Sequence, residues 1–158
     1  MLTPKKTKYR YNHYPKYEGH AKGNQEVSFG DYGLQAQKGT YISNRAIEAG
    51  RKVISPFVKK TGKMWIRIFP HWGKTKKPLE VRMGSGKGSI ESWEAVVKAG
   101  TIIFEVQGLP KDIAYKVLKK ASDKLPKPKK DDDGAKNLKY YKIVEMKNLN
   151  ITQKNDHE

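Results

Sequence analysis

A cationic, glycine-rich stretch at residues 76–89 contains the side chains of this sequence that are best suited to bind a ligand. The stretch reads KKPLEVRMGSGKGS, in which glycines at 84, 86 and 88 lie beside Arg82 and Lys87. Glycine has no Cβ, so such a loop can take positive φ values and let another backbone come close. A loop that is both bare and cationic suits a polyanion whose phosphates must be approached closely.

Two nucleotide-binding motifs do not fit this stretch. A Walker loop needs Ser or Thr after the Gly-Lys pair at 86–87, where Gly88 stands. A dinucleotide fingerprint needs a third glycine where Ser89 stands. A solvated hairpin turn is the simple alternative. The neighbourhood favours polyanion binding, because nine Lys or Arg residues lie between positions 59 and 88 against one carboxylate, Glu80.

The charge of the whole chain points to the same class of partner. The net charge is +17, and residues 1–130 hold 28 basic and 10 acidic residues whereas residues 131–158 hold 5 and 6. Charge of this density indicates a nucleic acid or an anionic membrane. A membrane is disfavoured because no apolar run approaches the roughly 18 residues that a spanning helix needs. The chain has no cysteine, which excludes disulfides and thiolate chemistry and suits a reducing cytoplasm.

The sequence offers no recognisable active site. The histidines, His13, His20, His71 and His157, have no metal-ligand spacing and no acidic cluster beside them. No nucleophile motif accompanies them either. We therefore expect a protein that is not an enzyme and that uses no metal or cofactor.

The first 25 residues have no helical or strand period and interleave tyrosines with basic residues. Such an arm can place charge on phosphates and stack its rings on unpaired bases. A disordered basic tail that binds nothing in particular is the alternative, although such tails are usually poor in aromatic residues.

The apolar pattern around these segments predicts an α+β protein, with an antiparallel or mixed sheet and two helices packed on one face. We expect strands at residues 26–36, 63–69, 80–83, 92–98 and 101–107. Strands 63–69 and 80–83 should form the two legs beneath the glycine loop. One helix should begin at Ser43, a capping residue, and end or kink near Ser55 because Pro56 lacks a backbone donor. The other should run from Pro110 to Leu125.

Two further surfaces have cationic side chains that could meet a polyanion. The first helix can bury one side and present another that carries Arg45, Arg51 and Lys52. In strand 63–69, one face combines Trp65, Arg67 and Phe69. That face suits either a half-buried sheet surface or a platform for RNA, and the half-buried surface is favoured.

Composition divides the chain into an arm at 1–25, a body at 26–126 and a charged extension at 127–158 that we expect to be partly disordered. Residues 139–146 can form one more strand within the extension. The extension suits either a solvated tail or contact with a neighbouring protein.

Seven stretches in series resemble the L-sixteen family of large-subunit ribosomal proteins, in its bacterial and organellar form. They are residues 1–10, 27–35, 43–51, 62–70, 75–89, 91–93 and 96–100. The series covers residues 1 to about 126 in order, and GKMWIRIFP at 62–70 is among its closest matches. Two features depart from the family: Pro56 falls where the first helix normally continues, and the extension replaces a brief basic closing strand.

The resemblance implies a structural role without catalysis. Proteins of this family bind large-subunit ribosomal RNA near the base of the central protuberance and help organise the site that receives aminoacyl-tRNA. By similarity, the basic arm and the loop with Arg82, Met83 and Lys87 would reach toward tRNA and the peptidyl-transferase region. The ribosome would be that of the cytoplasm or of an organelle. A free-standing RNA-binding regulator or chaperone is the alternative function.

The candidate RNA contacts all belong to the arm, the first helix or the glycine loop with its approach. They are Lys5, Lys6, Lys8, Arg10, Arg45, Arg51, Lys52, Lys74, Lys76, Lys77, Arg82, Met83, Gly84, Gly86, Lys87 and Gly88. The expected partners are large-subunit ribosomal RNA, tRNA and neighbouring ribosomal proteins.

Overall fold

The computed structural model of the chain describes residues 2–9, 12–127 and 140–146. These residues form two helices and two antiparallel sheets, which confirms the α+β class. In chain order the elements are β1 (Tyr32–Ala36), β2 (Thr40–Ser43), α1 (Asn44–Val58), β3 (Lys63–Ile66), β4 (Trp72–Thr75), β5 (Ile90–Val97), β6 (Ile102–Gln107), α2 (Lys111–Ser122) and β7 (Tyr141–Glu145). The division into arm, body and extension stays a prediction.

The larger sheet has the strand order β3-β6-β1-β7. One of its two interior strands, β6, is buried from Ile102 to Val106, as expected for a strand that is covered on both faces. Both helices contribute to the apolar core that includes Phe104 of this strand. A Cβ atom added at Gly50 of α1 would lie 2.9 Å from the Phe104 ring, so only glycine lets the helix come this close.

The smaller sheet has the order β2-β5-β4 and contains the two legs of the glycine loop. The two strands beneath the loop are β4 and β5. The prediction that residues 63–69 and 80–83 would form these two strands is wrong. Residues 63–66 pair with β6 instead, and residues 80–83 form no strand. Among the described residues, no strand pairs with residues 80–83. The short polar strand β4 is specified by its pairing with β5, because strand stability depends mainly on cross-strand neighbours.

Helix α1 begins where the sequence predicts and ends later. Ser43 caps it, with its Oγ accepting a hydrogen bond from the Ala46 N–H at 3.3 Å. Of the expected end or kink near Ser55, the end is wrong, because the helix passes through Pro56 and ends at Val58. The kink stays a prediction. Proline removes only one donor from the hydrogen bonds of the helix backbone. Burial of the Val58 side chain stabilises the additional turn.

Several strand boundaries also differ from the sequence pattern. Strand β1 starts at Tyr32 instead of residue 26, and β2 has no counterpart among the expected strands. In the segment before β1, Val27 is buried whereas Phe29 is exposed. The strand expected within 139–146 is confirmed as β7, which pairs antiparallel with β1. Residues 128–139 and 147–158 of the extension lie outside the described residues.

Candidate nucleic-acid interface

The base of the glycine loop is closed by backbone contacts between its two ends. The Lys76 N–H donates to the Ser89 carbonyl at 3.1 Å, directly beyond the pairing of β4 with β5. A Cβ atom at Gly88 would lie 2.7 Å from the Lys76 carbonyl oxygen. The loop itself therefore requires glycine at position 88, because its two ends approach each other too closely for any side chain.

The tip of the loop is bare backbone in a left-handed conformation. The φ angles are +104° at Gly84, +57° at Ser85 and +81° at Gly86. A Cβ atom at Gly84 or Gly86 would meet nothing within 4 Å, so the structure leaves open space around both glycines. The glycines at the tip thus permit the positive φ angles and leave the surface accessible, whereas Gly88 at the base permits a close backbone contact.

The side chains of the loop are strongly exposed. Met83 is 97% exposed and Leu79 is 95% exposed, which is unusual for large apolar residues. Arg82 is exposed beside Met83, and the Lys77 ammonium donates back to the Gly84 carbonyl. The tip therefore combines positive charge, apolar side chains and accessible peptide groups on one small surface.

The cations at the root of the loop are partly neutralised. Lys74 Nζ lies 3.1 Å from an oxygen of Glu94, and this hydrogen-bonded pairing raises the pKa of Lys74. Lys76 Nζ lies 3.6 Å from Glu91, with both side chains at least half exposed. A pair in that environment is weak, because water and salt screen it. Lys76 can therefore exchange the Glu91 carboxylate for a phosphate at little cost in free energy.

The N-terminal arm is attached to the same sheet as the loop. The Tyr14 ring lies 4.8 Å from Tyr41 of β2 and 4.4 Å from Trp72 of β4, both in edge contact. The Tyr41 hydroxyl donates to the Pro15 carbonyl at 2.5 Å, and the Trp72 indole donates to the His13 carbonyl at 3.2 Å. Burial raises the pKa of Tyr41. The arm and the glycine loop are thus attached to the same sheet.

This attachment changes the expected use of the arm's tyrosines. Tyr14 and Tyr17 contact the body through Tyr41, although 58% of Tyr14 and 40% of Tyr17 remain exposed. Tyr9 is 69% exposed, among the exposed cations Lys5, Lys6 and Lys8. Arg10 lies outside the described residues. The sequence did not identify Trp72 and Tyr41 as the anchors, since no spacing signal links residues so far apart.

The three candidate cations of α1 are not equivalent. Arg45 and Lys52 are exposed. Arg51 is half-buried and donates to Glu48 through Nε at 2.9 Å, and this hydrogen bond holds the pKa of Glu48 below its ordinary value. Because α1 follows β2 directly, Arg45 at its first turn lies next to the sheet that carries the arm and the loop. Arg45 and Lys52 are therefore more available to a polyanion than Arg51.

The described part of the chain has no arrangement suited to metal chemistry, since no three His, Asp or Glu side chains there could hold an ion. Among the helices of the described ranges, none is long and apolar enough to cross a membrane.

A compact α+β body that carries an exposed cationic loop and a basic aromatic arm on one sheet has the features of a nucleic-acid-binding protein. Comparison with known proteins agrees with this class. The model of the family described as ribosomal protein L16p/L10e matches residues 4–130. The chain therefore belongs to the L16p/L10e family of ribosomal proteins.

Its relatives are named large ribosomal subunit protein uL16. That of Malacoplasma penetrans is 62% identical over 125 residues, which cover 79% of this chain and 89% of the relative. That of Mycoplasma genitalium is 61% identical over 126 residues, covering 80% and 91%. That of Spiroplasma citri is 59% identical over 126 residues, covering 80% and 92%. Strand β7 lies beyond the residues that the family model matches.

Proposed function

We propose that this protein is a structural constituent of the large ribosomal subunit, in the ribosomes of the cytoplasm. In this role it binds large-subunit ribosomal RNA, contacts neighbouring ribosomal proteins, and helps organise the site that receives aminoacyl-tRNA near the peptidyl-transferase centre. The observation that carries the proposal is the exposed cationic glycine loop, rooted on the same sheet as the basic arm, in a chain of this family.

Ribosomal RNA contact uses the cations that surround this sheet. Lysine and arginine side chains neutralise phosphates and release counterions, which supplies most of the affinity without reading sequence. The proposed contacts are Lys5, Lys6, Lys8 and Arg10 of the arm, Arg45, Arg51 and Lys52 of α1, and Lys74, Lys76, Lys77, Arg82 and Lys87 of the loop and its approach.

The tip of the loop is the part that we assign to tRNA. Gly84 and Gly86 have no side chain and face open space, so an RNA backbone can lie directly against their peptide groups. Gly88 keeps the base of the loop narrow. Arg82 supplies a planar guanidinium that can bind phosphate with two hydrogen bonds, and Met83 offers an apolar, adaptable contact to a sugar or base.

A free-standing RNA-binding regulator is the competing function. It would use the same cations but would not need a place in the subunit. Membership of a ribosomal protein family with about 60% identity to large-subunit proteins favours the structural role.

An add-back experiment tests the proposal. Large subunits that lack their own family member are reconstituted with this protein, and binding of aminoacyl-tRNA to the reassembled ribosomes is measured. We expect stoichiometric incorporation and recovery of aminoacyl-tRNA binding. Incorporation without any recovery would contradict the tRNA role alone. Failure to incorporate would contradict the structural role as well.

A further inference from the structure

A second aromatic surface is formed by the half-buried Trp65 of β3 and the exposed Phe29 in the segment before β1. Strand β3 belongs to the larger sheet, whereas the glycine loop joins two strands of the smaller one. The ring of Phe29 stacks against Trp65 with centroids 6.0 Å apart and an angle of 26° between the planes. The Arg67 guanidinium lies 4.6 Å from the centre of the Phe29 ring. After both contacts, 54% of Phe29 is still exposed. We call Phe29 and Trp65 the Phe29 platform.

The platform is fixed from beneath by a buried carboxylate. Glu105 Oε2 accepts hydrogen bonds from the backbone N–H groups of Ser28, Phe29 and Gly30 at 3.2, 2.7 and 3.0 Å. A Cβ atom at Gly30 would lie 2.6 Å from a carbonyl oxygen of β6, so the segment is also held tightly against the sheet. These contacts hold the backbone that presents the exposed ring. A preorganised ring loses little freedom when it binds a ligand.

Cations lie beside the platform. A surface depression of about 270 Å³ is lined by Ser55, Val58, Lys59, Gly62, Lys63, Met64 and Trp65. Its lining includes two exposed lysines and no carboxylate. In the part of the chain that the structure describes, neither Lys59 nor Lys63 is in an ion pair. The aromatic surface thus borders a positively charged one.

We propose that the Phe29 platform stacks on an unpaired base of the ribosomal RNA, with Lys59 and Lys63 on the adjoining phosphates. This inference rests on the proposed function, since it takes ribosomal RNA as the ligand. Aromatic rings next to basic side chains are the usual means of holding single-stranded RNA, because every base has a face that can stack. Charge complementarity favours RNA over a neighbouring protein as the occupant, and a protein partner is one outcome of the test.

The test compares Phe29→Leu with Phe57→Leu. Both substitutions keep an apolar side chain and remove a ring, and Phe57 is 43% exposed on α1. Binding of the purified full-length variants is measured on deproteinised large-subunit ribosomal RNA, on a 12-nucleotide single-stranded RNA and on a duplex of the same length. We expect Phe29→Leu to weaken single-strand binding by about 5- to 150-fold, the range for one lost base stack, and to leave duplex binding and the salt dependence unchanged. Phe57→Leu should bind like the wild type.

Cross-linking supplies a second readout that does not depend on affinity. Irradiation at 254 nm followed by mass spectrometry should place cross-links on Phe29 or Trp65. Equal losses for the two variants, or cross-links confined to the arm and the glycine loop, would overturn the platform. The same would follow if Phe29→Leu lost a ribosomal protein from the subunit while binding naked RNA normally, since the occupant would then be a protein.

This design distinguishes a failure of the proposed function from a failure of the Phe29 platform alone. A wild-type protein that binds large-subunit ribosomal RNA no better than heparin would overturn the proposed function and the platform together. A wild-type protein that prefers the RNA, with Phe29→Leu indistinguishable from it, would overturn the platform alone.

Discussion

The Arg67 guanidinium, one residue beyond the end of β3, donates to Glu105 Oε1 of β6. The glutamate side chain is completely buried, whereas 18% of the arginine side chain is exposed. The second carboxylate oxygen accepts three backbone N–H groups. Each polar atom of this buried anion is therefore satisfied, and Arg67 serves the fold instead of contacting RNA through its charge.

Removal of this carboxylate should be strongly destabilising. In Glu105→Ala, the arginine and three N–H groups lose their acceptor, and we expect a loss of roughly 3–5 kcal/mol in the free energy of unfolding. Glu105→Gln keeps a carbonyl acceptor and should lose less. Glu91→Gln, in the exposed pair with Lys76, is the matched control and should change stability by less than about 1 kcal/mol. Urea unfolding measures all three, and equal values for Glu105→Ala and Glu91→Gln would contradict a stabilising role for the hydrogen bonds that Glu105 accepts.

Arg82→Ala combined with Lys87→Ala should leave folding intact and weaken RNA binding. Both residues are exposed on the loop, away from the buried core. Each lost phosphate contact should reduce the slope of log affinity against log salt by about 0.7–1. Lys22→Ala with Lys98→Ala removes the same charge from two other exposed positions and is the control. If the loop variant unfolds, the loop is structural and its assignment to RNA is wrong.

Gly86→Ala should separate backbone strain from contact with RNA. Its φ of +81° makes any side chain cost about 1–2 kcal/mol, although the free protein has room for one. Gly19, at φ +80° and also in open space, is the matched control with the same strain. We expect equal losses of stability in the two variants, and a defect in subunit function only for Gly86→Ala. Equal function in both would mean that no RNA backbone lies against Gly86.

The stabilisation that Tyr141 of β7 contributes should be lost at alkaline pH. Burial raises the pKa of Tyr141 from 10.0 to about 12, and its hydroxyl donates to the Pro126 carbonyl at 2.6 Å. The pKa is higher in the folded state, so this group's contribution is fully present below about pH 10 and is lost as pH rises toward 12.

The variant Tyr141→Phe isolates this effect. At pH 8 it should be less stable than the wild type by about 1 kcal/mol, the contribution of one hydrogen bond. The difference should shrink as pH rises from about 10 to 12, since only the wild type carries the titrating hydroxyl. Tyr9→Phe, at an exposed position, should show no difference at any pH. A constant gap between wild type and Tyr141→Phe would contradict the linkage.

The sequence predicts best those elements whose signals are local. The cap at Ser43 and the apolar stripe of α1 are properties of neighbouring residues, so the start of the helix is predictable. Strand β4 is not, because its four residues become a strand only through pairing with β5. The end of the helix is not predictable from Pro56 for a similar reason, because the helix extends to Val58, whose burial depends on tertiary packing.

The candidate interface shows the same division. Charge and glycine content predict the loop as a candidate interface from sequence alone, and a Cβ atom at Gly84 or Gly86 would meet nothing within 4 Å. Which cations are neutralised depends on distant partners, such as Glu94 for Lys74. The exposure of Phe29 depends on a carboxylate 76 residues away, and no periodicity of its own segment reveals it.

Sedimentation tests the central claim most directly. A tagged copy of the protein is expressed in cells, and lysates are run through sucrose gradients after a high-salt wash. We expect stoichiometric co-migration with large subunits that survives the wash, because a structural constituent is held by many RNA and protein contacts at once. Release into the soluble fraction at moderate salt would contradict the structural role and favour the free-standing RNA-binding regulator.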